Sequence, residues 1–498
     1  GSGTRVEAHR PWPRAIVDTA AWRLAVAALR DGRLTLLGLW GERNTIHMAL
    51  LDEAAGEAAV LSLDCPSRRF PSVGAAHPPA IRLERAIRDL FGIDAESAPD
   101  ARPWLDHGCW PLTQPLGDAR PRSGKGGPYV FLPAEGENLH QVPVGPVHAG
   151  IIEPGHFRVT AGGETIVRLE ERLGYVHKGI EKLMEGADLD RAAKLAGRTS
   201  GDSTVAYAFA FARAVEAALG IDVPPRAQWL RALMAELERL ANHFGDIGAI
   251  CNDAAFPLMH AHCSILRERV LRACDTAFGH RLMRDGVAPG GVAVDLGDAG
   301  IAAIRALVEE ARRRFPGLVR LYDDTASLQD RTVGAGMLRP TLAQQFGAGG
   351  YVGRASGRAF DARHSPGYAP YNRLPFEVPV RHQGDVDARV RIRIGEVEQS
   401  LDLIGRILER LPAGPLCVPP ADARRREPAE GVALVEGFRG DVLVWLRLGR
   451  DGGIERCHLR DPSWFQWPLL EAAIEDNIVA DFPLCNKSFN CSYSGHDL

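Results

Sequence analysis

The sequence predicts an α+β fold, in which a small α+β domain precedes a large, mainly helical domain. Three observations support this assignment. Short apolar segments bounded by turn residues dominate the N-terminal part, which is typical of strands. From about residue 142, longer segments repeat apolar residues at helical spacing. The length of 498 residues also exceeds what one hydrophobic core usually supports, so we expect at least two domains.

The first unit is predicted to span residues 1–113. Segments 33–40 and 58–63 have the composition of strands, and segment 81–91 has the periodicity of a helix. Residues 114–140 are predicted to form a linker, because their proline, glycine and charged residues suit an exposed connection. The large domain then takes residues 141–498.

The large domain is predicted to begin with strand-like residues and to continue as long helices. The stretch 157–169 is interrupted by a turn at Gly162 and Gly163. Segments 229–244 and 390–411 place apolar residues on one helical face, and Pro412 ends the second of them. Segment 204–219 is apolar almost all round, which predicts a buried central helix.

Composition excludes several classes of protein. A net charge of −4 and a pI near 6.5 argue against a nucleic-acid partner, which would require a basic surplus. No apolar run is long enough to span a bilayer, and the N-terminus lacks the apolar stretch of a signal peptide. The nine cysteines are scattered without a C-x-x-C pair, as expected for reduced thiols. We therefore expect a cytoplasmic protein that reaches a membrane only through partners.

Several segments resemble one family, in the same order along the chain. They are VGPVHAGIIEPGHFR (144–158), GYVHKGIEKLM (174–184), RALMAELERL (231–240), GRASGRAFDARHSPGYAPYNRLPFEVPVR (353–381) and GDVDARVRIRIGEVEQSL (384–401). They are similar to the large subunits of energy-converting nickel–iron hydrogenases of the formate-hydrogenlyase type and, more loosely, to the 49-kDa subunit of complex I. FPSV (70–73) and LERAIRDLFGI (83–93) resemble the 30-kDa subunit of complex I. The chain is thus identified as a fusion of both subunits.

The nickel ligands of such hydrogenases have no counterparts here. The family motif R-x-C-G-x-C-S stands opposite residues 198–204, RTSGDST, so that Ser200 and Ser203 occupy the cysteine positions. Nickel in that site is held by soft thiolates, which a serine hydroxyl cannot replace. In the family, the second pair of nickel ligands lies in the motif D-P-C-x-x-C. The corresponding residues here are expected within 481–491, DFPLCNKSFNC, where five residues separate Cys485 from Cys491. We expect two packed thiols there, with a redox or metal role as the alternative, and neither bound nickel nor hydrogen turnover.

The resemblance implies further site residues. Glu181 matches a glutamate proposed to transfer protons, for which burial would raise the pKa. The (i, i+4) spacing predicts that His177 shares its helix face, and solvated charges on a surface helix are the alternative. Arg354, Asp361 and Arg363 are interpreted either as cavity-lining residues or as structural ion pairs. A quinone or proton-transfer cavity would also draw on His148, His156, Ser200, Gly201, Asp202, Ser203, Asp481 and Lys487.

The family implies a function within a complex. The chain would be a subunit of a membrane-associated oxidoreductase complex similar to complex I or formate hydrogenlyase, peripheral on the inner side of the cell membrane. It would dock on a small iron–sulfur subunit, similar to the 20-kDa subunit of complex I, and on membrane subunits. No bound cofactor is expected except possible quinone, with the iron–sulfur clusters in the partner. A non-catalytic coupling or scaffold subunit is the alternative, and a hydrogenase with unusual ligands is a third.

Overall fold

The N-terminal unit is a five-stranded sheet with a helix packed on it, in a computed structural model that describes residues 3–124, 126–149, 152–420 and 427–498. Its elements are β1 (Gly3–Arg5), β2 (His9–Arg10), β3 (Arg14–Val17), α1 (Thr19–Arg30), β4 (Thr35–Gly41), β5 (Thr45–Asp52), β6 (Glu57–Asp64), β7 (Arg69–Pro71), α2 (Ile81–Phe91) and β8 (Asp94–Glu96). The sheet order is β1-β3-β6-β5-β4. The predicted strands and helix are all present. Helix α2 ends where Gly92 adopts a left-handed conformation with φ +67°.

A short hairpin stands at the start of the predicted linker, and a three-stranded antiparallel sheet follows it. These strands are β9 (Leu112–Thr113), β10 (Arg120–Pro121), β11 (Leu139–Val144), β12 (His156–Gly162) and β13 (Thr165–Arg172). The turn predicted at Gly162 and Gly163 joins β12 to β13. Gly163 has φ +62°, a conformation that favours glycine.

Helices form most of the large domain. They are α3 (Ile180–Met184), α4 (Leu189–Ala196), α5 (Thr204–Leu219), α6 (Pro225–Asp253), α7 (Pro257–Phe278), α8 (Asp298–Asp324), α9 (Ala326–Thr332), α10 (Pro340–Gln345), α11 (Gly350–Ala355) and α12 (Val386–Arg410), with the small hairpin β14 (Val287–Ala288) and β15 (Gly291–Val292). Helix α5 is buried almost all round, as predicted. In the described parts of the chain, no helix has the length and apolar character needed to cross a bilayer.

The C-terminal part adds a sheet that sequence periodicity did not indicate. Its elements are β16 (Ala429–Gly437), β17 (Gly440–Leu448), β18 (Ile454–Arg460), α13 (Ser463–Ala473), α14 (Phe482–Phe489) and α15 (Tyr493–Asp497). The sheet order is β18-β17-β16-β2, so a strand of the N-terminal unit completes it in parallel with β16. Strands β16 and β17 are buried almost throughout, which removes the alternation that marks a half-exposed strand.

The two units are joined by buried contacts. Arg14 donates two hydrogen bonds to the carboxylate of Glu430, at 2.6 and 2.8 Å. Trp40 stacks on His458 with ring centroids 4.9 Å apart, and it also contacts Trp445. The joint is therefore a shared core, and it fixes the N-terminal unit against the sheet that carries the site.

Candidate functional site

The turn that leads into α5 brings three predicted site residues together. Ser200 Oγ donates to Asp202 Oδ1 at 2.8 Å and lies 3.0 Å from Ser492 Oγ, so residues 292 positions apart in sequence meet here. Ser203 is buried at the same turn, whereas Gly201 is exposed. This serine cluster (Ser200, Asp202, Ser203 and Ser492) therefore has hydroxyls at positions 200 and 203, where the family carries thiolates, and a carboxylate between them.

Arg439, at the tip of the β16–β17 hairpin, neutralises this cluster. It binds both oxygens of Asp202, at 2.7 and 2.5 Å, and donates to the hydroxyl of Ser203 at 3.3 Å. Burial disfavours ionisation of Asp202, but the charge and hydrogen bonds of Arg439 prevail and lower the pKa of Asp202 to about 2. Sequence analysis missed Arg439, because no local pattern relates a hairpin tip to a turn more than two hundred residues away.

The second pair of family ligand positions is best matched by Ser492 and Gly495. They have the (i, i+3) spacing of C-x-x-C, and Ser492 faces Ser200. A Cβ atom at Gly495 would collide with the carboxylate of Asp461, which the Tyr207 hydroxyl holds at 2.6 Å. The (i, i+3) spacing is the signal by which the sequence could have located this second pair, although neither residue is a cysteine.

This arrangement does not fit nickel. The four positions offer three hydroxyls and one residue without a side chain, and nickel in this family requires soft thiolates. Within the described ranges, no group of three or more His, Cys, Asp or Glu side chains is arranged to hold a metal ion. The chemistry available at this cluster is therefore hydrogen bonding and proton transfer.

The two cysteines that the sequence indicated are buried thiols. Cys485 lies on α14 near Arg389, and burial raises its pKa to about 12. Burial likewise raises the pKa of Cys491 well above its ordinary value. Both are thus protonated at neutral pH, and a redox or metal role for either one stays untested.

A cavity of about 190 Å³ is lined in part by Cys491 and Tyr493, the residues on either side of Ser492 in the sequence. His148 and Lys487 both line it, which brings together two predicted residues from opposite ends of the large domain. Its remaining lining is Val144, Ile152, Phe157, Asp253, Phe482, Pro483, Asn486, Asn490, Cys491 and Tyr493. His156 does not line this cavity. Its ring packs against Phe131, with centroids 5.3 Å apart, since alternate residues of β12 point to opposite faces.

Glu181 is a buried ion-paired carboxylate, which contradicts the expected rise in its pKa and the solvated surface helix, whereas its role in proton transfer stays a prediction. It accepts hydrogen bonds from Arg456 at 2.7 Å and from His458 Nδ1 at 2.8 Å. Burial disfavours its ionised form, but the charge of Arg456, the charge and hydrogen bond of His458 and the backbone N–H of Leu459 together outweigh burial and lower the pKa of Glu181 to about 2. The predicted rise in the pKa of Glu181 is wrong because the buried carboxylate lies against Arg456. The alternative of a solvated surface helix is wrong because Glu181 is only 4% exposed.

The prediction that His177 shares a helix face with Glu181 is also wrong. Helix α3 begins at Ile180, after Gly179 with φ +69°, so His177 lies outside it. Its ring stacks on Trp110 with centroids 4.6 Å apart, and its Nδ1 lies 2.7 Å from the carbonyl oxygen of Asp497. The glycine breaks the helical periodicity that the spacing assumed.

The remaining predicted residues form ion pairs and are not among the residues that line this cavity. Arg354 binds Asp361 at 3.0 Å, and Arg363 binds the same carboxylate at 2.6 Å. All three are fully buried, and Glu236, Glu396 and Glu436 complete the network. Asp481 pairs with Arg331 at 3.0 Å. None of these side chains lines the cavity beside His148, so the structural ion-pair interpretation describes their contacts.

Comparison with known sequence families agrees with this architecture. Residues 17–124 match the 30 Kd subunit of respiratory-chain NADH dehydrogenase, and residues 255–429 match its 49 Kd subunit. Residues 178–245 match the nickel-dependent hydrogenase family. The matches cover the N-terminal unit and most of the large domain.

Individual relatives extend the similarity over nearly the whole chain. Formate hydrogenlyase subunit 5 of Escherichia coli is 33% identical over 448 residues, covering 88% of this chain and 78% of the relative. The carbon monoxide-induced hydrogenase of Rhodospirillum rubrum is 31% identical over 360 residues, covering 71% of this chain and 98% of the relative. A chain from the structure of the membrane-bound sulfane sulfur reductase, an archaeal respiratory membrane complex, superposes with a TM-score of 0.68 at 27% identity, covering 73% of this chain and 99% of that one. The chain therefore belongs to the family of energy-converting nickel–iron hydrogenase large subunits and complex I 49-kDa subunits, with a 30-kDa-subunit-like unit fused at its N-terminus.

Proposed function

We propose that the chain is a nickel-free, peripheral subunit of a membrane-associated oxidoreductase complex, and that the cavity beside His148 receives a quinone headgroup or a redox-linked proton. The observation that carries this proposal is the position of the cavity. Cys491 and Tyr493, which flank Ser492 of the serine cluster in the sequence, line the cavity, and both ends of the large domain contribute to its walls. The chain would face the cytoplasmic side of the membrane.

The composition of the walls suits a flat ring with polar substituents. Phe157, Phe482 and Ile152 supply apolar surface, while Lys487 and Tyr493 can donate hydrogen bonds to carbonyl oxygens. Lys487 is already oriented by Asn490, whose Oδ1 lies 3.1 Å from its Nζ. A quinone would thus be held by its ring between apolar side chains and by its oxygens at the polar end.

The relatives support a role within a larger complex. Two of them are named as a membrane-bound hydrogenase subunit, from Pyrococcus furiosus, and as a subunit of formate hydrogenlyase. We propose that a small iron–sulfur subunit supplies the electrons and that membrane subunits use the released energy. The chain itself would bind the electron acceptor and transfer protons to or from it.

Elemental analysis of the purified complex is the first test, together with a hydrogen-uptake assay. We expect no stoichiometric nickel, no hydrogen uptake and only the iron of the partner's clusters. Stoichiometric nickel with activity would contradict the proposal. Quinone binding is then tested with Tyr493→Phe, for which we expect a weaker affinity. Tyr175→Phe, a partly exposed phenol outside this cavity, is the matched control.

A coupling subunit without its own chemistry is the second candidate function, and the contacts of Glu181 favour it. A carboxylate with a pKa of about 2, locked by Arg456 and His458, is poorly suited to carry protons at neutral pH. It instead fixes α3 to β18. Variants of the cavity that leave turnover of an assembled complex unchanged would support this candidate.

A further inference from the structure

Glu171 is a fully buried carboxyl whose second oxygen has no hydrogen-bond partner among the described residues. It lies on β13, and its Oε2 accepts a hydrogen bond from Arg82 of α2 at 2.9 Å. Its Oε1 is enclosed and receives no donor from the parts of the chain that the structure describes. An ionised carboxylate oxygen in this position would be strongly unfavourable, because it has lost water without gaining a partner.

The charges around Glu171 do not balance. Arg82 also donates to Glu471 of α13, at 2.6 Å, and the backbone N–H of Glu171 donates to the same Glu471 oxygen at 2.8 Å. One guanidinium thus serves two carboxyl groups, and it is held in place over the ring of Trp104 at 4.5 Å. Burial first, and the charge of Glu471 second, raise the pKa of Glu171 well above its ordinary value.

The backbone register places Glu171 behind the cavity wall. Glu171 pairs directly with Phe157 across β12 and β13, and directly paired residues project on the same face of a sheet. Phe157 lines the cavity and packs against Tyr493, another wall residue, with ring centroids 6.4 Å apart. The ionisable groups that interact electrostatically with Glu171 include Arg82, Glu471, the Cys491 thiol and the Tyr493 hydroxyl.

We propose that Glu171 is protonated at neutral pH, held so by the shared Arg82 and Glu471, and that it exchanges this proton with the cavity past Phe157 and Tyr493. In releasing the proton Glu171 becomes a carboxylate, and in taking one up it becomes the neutral acid again, so no other reactant is consumed. The N-terminal unit takes part, because it contributes Arg82. The exchange with the cavity rests on the proposed function, whereas the protonation of Glu171 does not.

Infrared spectroscopy of the full chain tests the protonation. The C=O stretch of a protonated carboxyl is distinct from carboxylate bands and shifts in D₂O. We expect Glu171→Gln to remove one protonated-carboxyl signal at neutral pH. Glu170→Gln is the matched control, since Glu170 faces Arg102 at 2.6 Å and should leave that signal intact. Glu471→Gln removes the competing charge, so the titration of Glu171 should move down by about one pH unit or more.

A spectrum of Glu171→Gln identical to that of the wild type would overturn the proposal, as would an upward shift in Glu471→Gln. Exchange with the cavity is tested in the assembled complex. Turnover should fall at least tenfold in Glu171→Gln, should recover in part in Glu171→Asp, and should be unchanged in Glu170→Gln. Loss of the infrared signal with unchanged turnover would overturn the exchange. Failure of quinone to bind at Tyr493 would instead refute the proposed function and leave the infrared result standing.

Discussion

Replacing Glu181 by Gln tests the buried ion pair between α3 and β18. In the folded chain the pKa of Glu181 is about 2, against an ordinary value of 4.5. A difference of roughly 2.5 units, at about 1.4 kcal/mol per unit, corresponds to about 3 kcal/mol of stabilisation by the ionised form. Loss of the carboxylate also leaves Arg456 and His458 without their partner, and breaking such a buried pair typically costs about 3–5 kcal/mol. We expect a loss of at least 3 kcal/mol in the free energy of unfolding.

The direction of the pKa shift determines how the stability difference between wild type and Glu181→Gln changes with pH. Because the folded-state pKa lies below the unfolded one, the stabilisation is complete above pH 4.5 and is lost as the pH falls toward 2. Urea unfolding of the purified chain should therefore show a constant deficit for Glu181→Gln between pH 7 and 5, and a shrinking one below pH 4.5. Glu185→Gln, which removes the half-buried partner of the exposed Lys182, is the control and should change little. A neutral-pH stability equal to the wild type's, or a deficit that grows on acidification, would refute the reasoning.

Three further predictions concern the serine cluster and its supports. Glu238 accepts hydrogen bonds from the first free amides of α5, so Glu238→Ala should lower the free energy of unfolding by about 1–2 kcal/mol in chemical denaturation. Gly495→Ala should lower the melting temperature, at a cost of about 1–3 kcal/mol, because its methyl group meets Asp461; an unchanged melting temperature would show that the site has room for a side chain. A Ser200→Cys, Ser203→Cys double variant should bind no stoichiometric nickel in elemental analysis, because the second pair of cysteine ligands is still missing. Stoichiometric nickel would contradict the assignment of Ser492 and Gly495 to the positions of that second pair.

Local patterns predicted the elements that bury one well-defined face. Helix α2 begins and ends at the predicted residues because its apolar periodicity and the left-handed Gly92 beyond its C-terminus determine it locally. Helix α5, which is apolar almost all round, also has its predicted bounds, and the left-handed Gly220 follows its C-terminus. The sheet of β16, β17 and β18 was not predicted. Strands buried on both faces lack alternation, and their burial depends on α5 and on β2 from the other unit.

The sequence by itself determined which atoms are present at the former metal positions. Serine at 200 and 203 cannot supply thiolate ligands in any fold, so the mismatch with nickel is a property of the residues alone. Only the tertiary structure decided the state of the ionisable groups. Glu181 is ionised because Arg456 lies against it, whereas we infer that Glu171 is neutral because Glu471 shares its arginine. Charge partners in a buried site come from distant parts of the chain, and sequence spacing contains no information about which of them will meet.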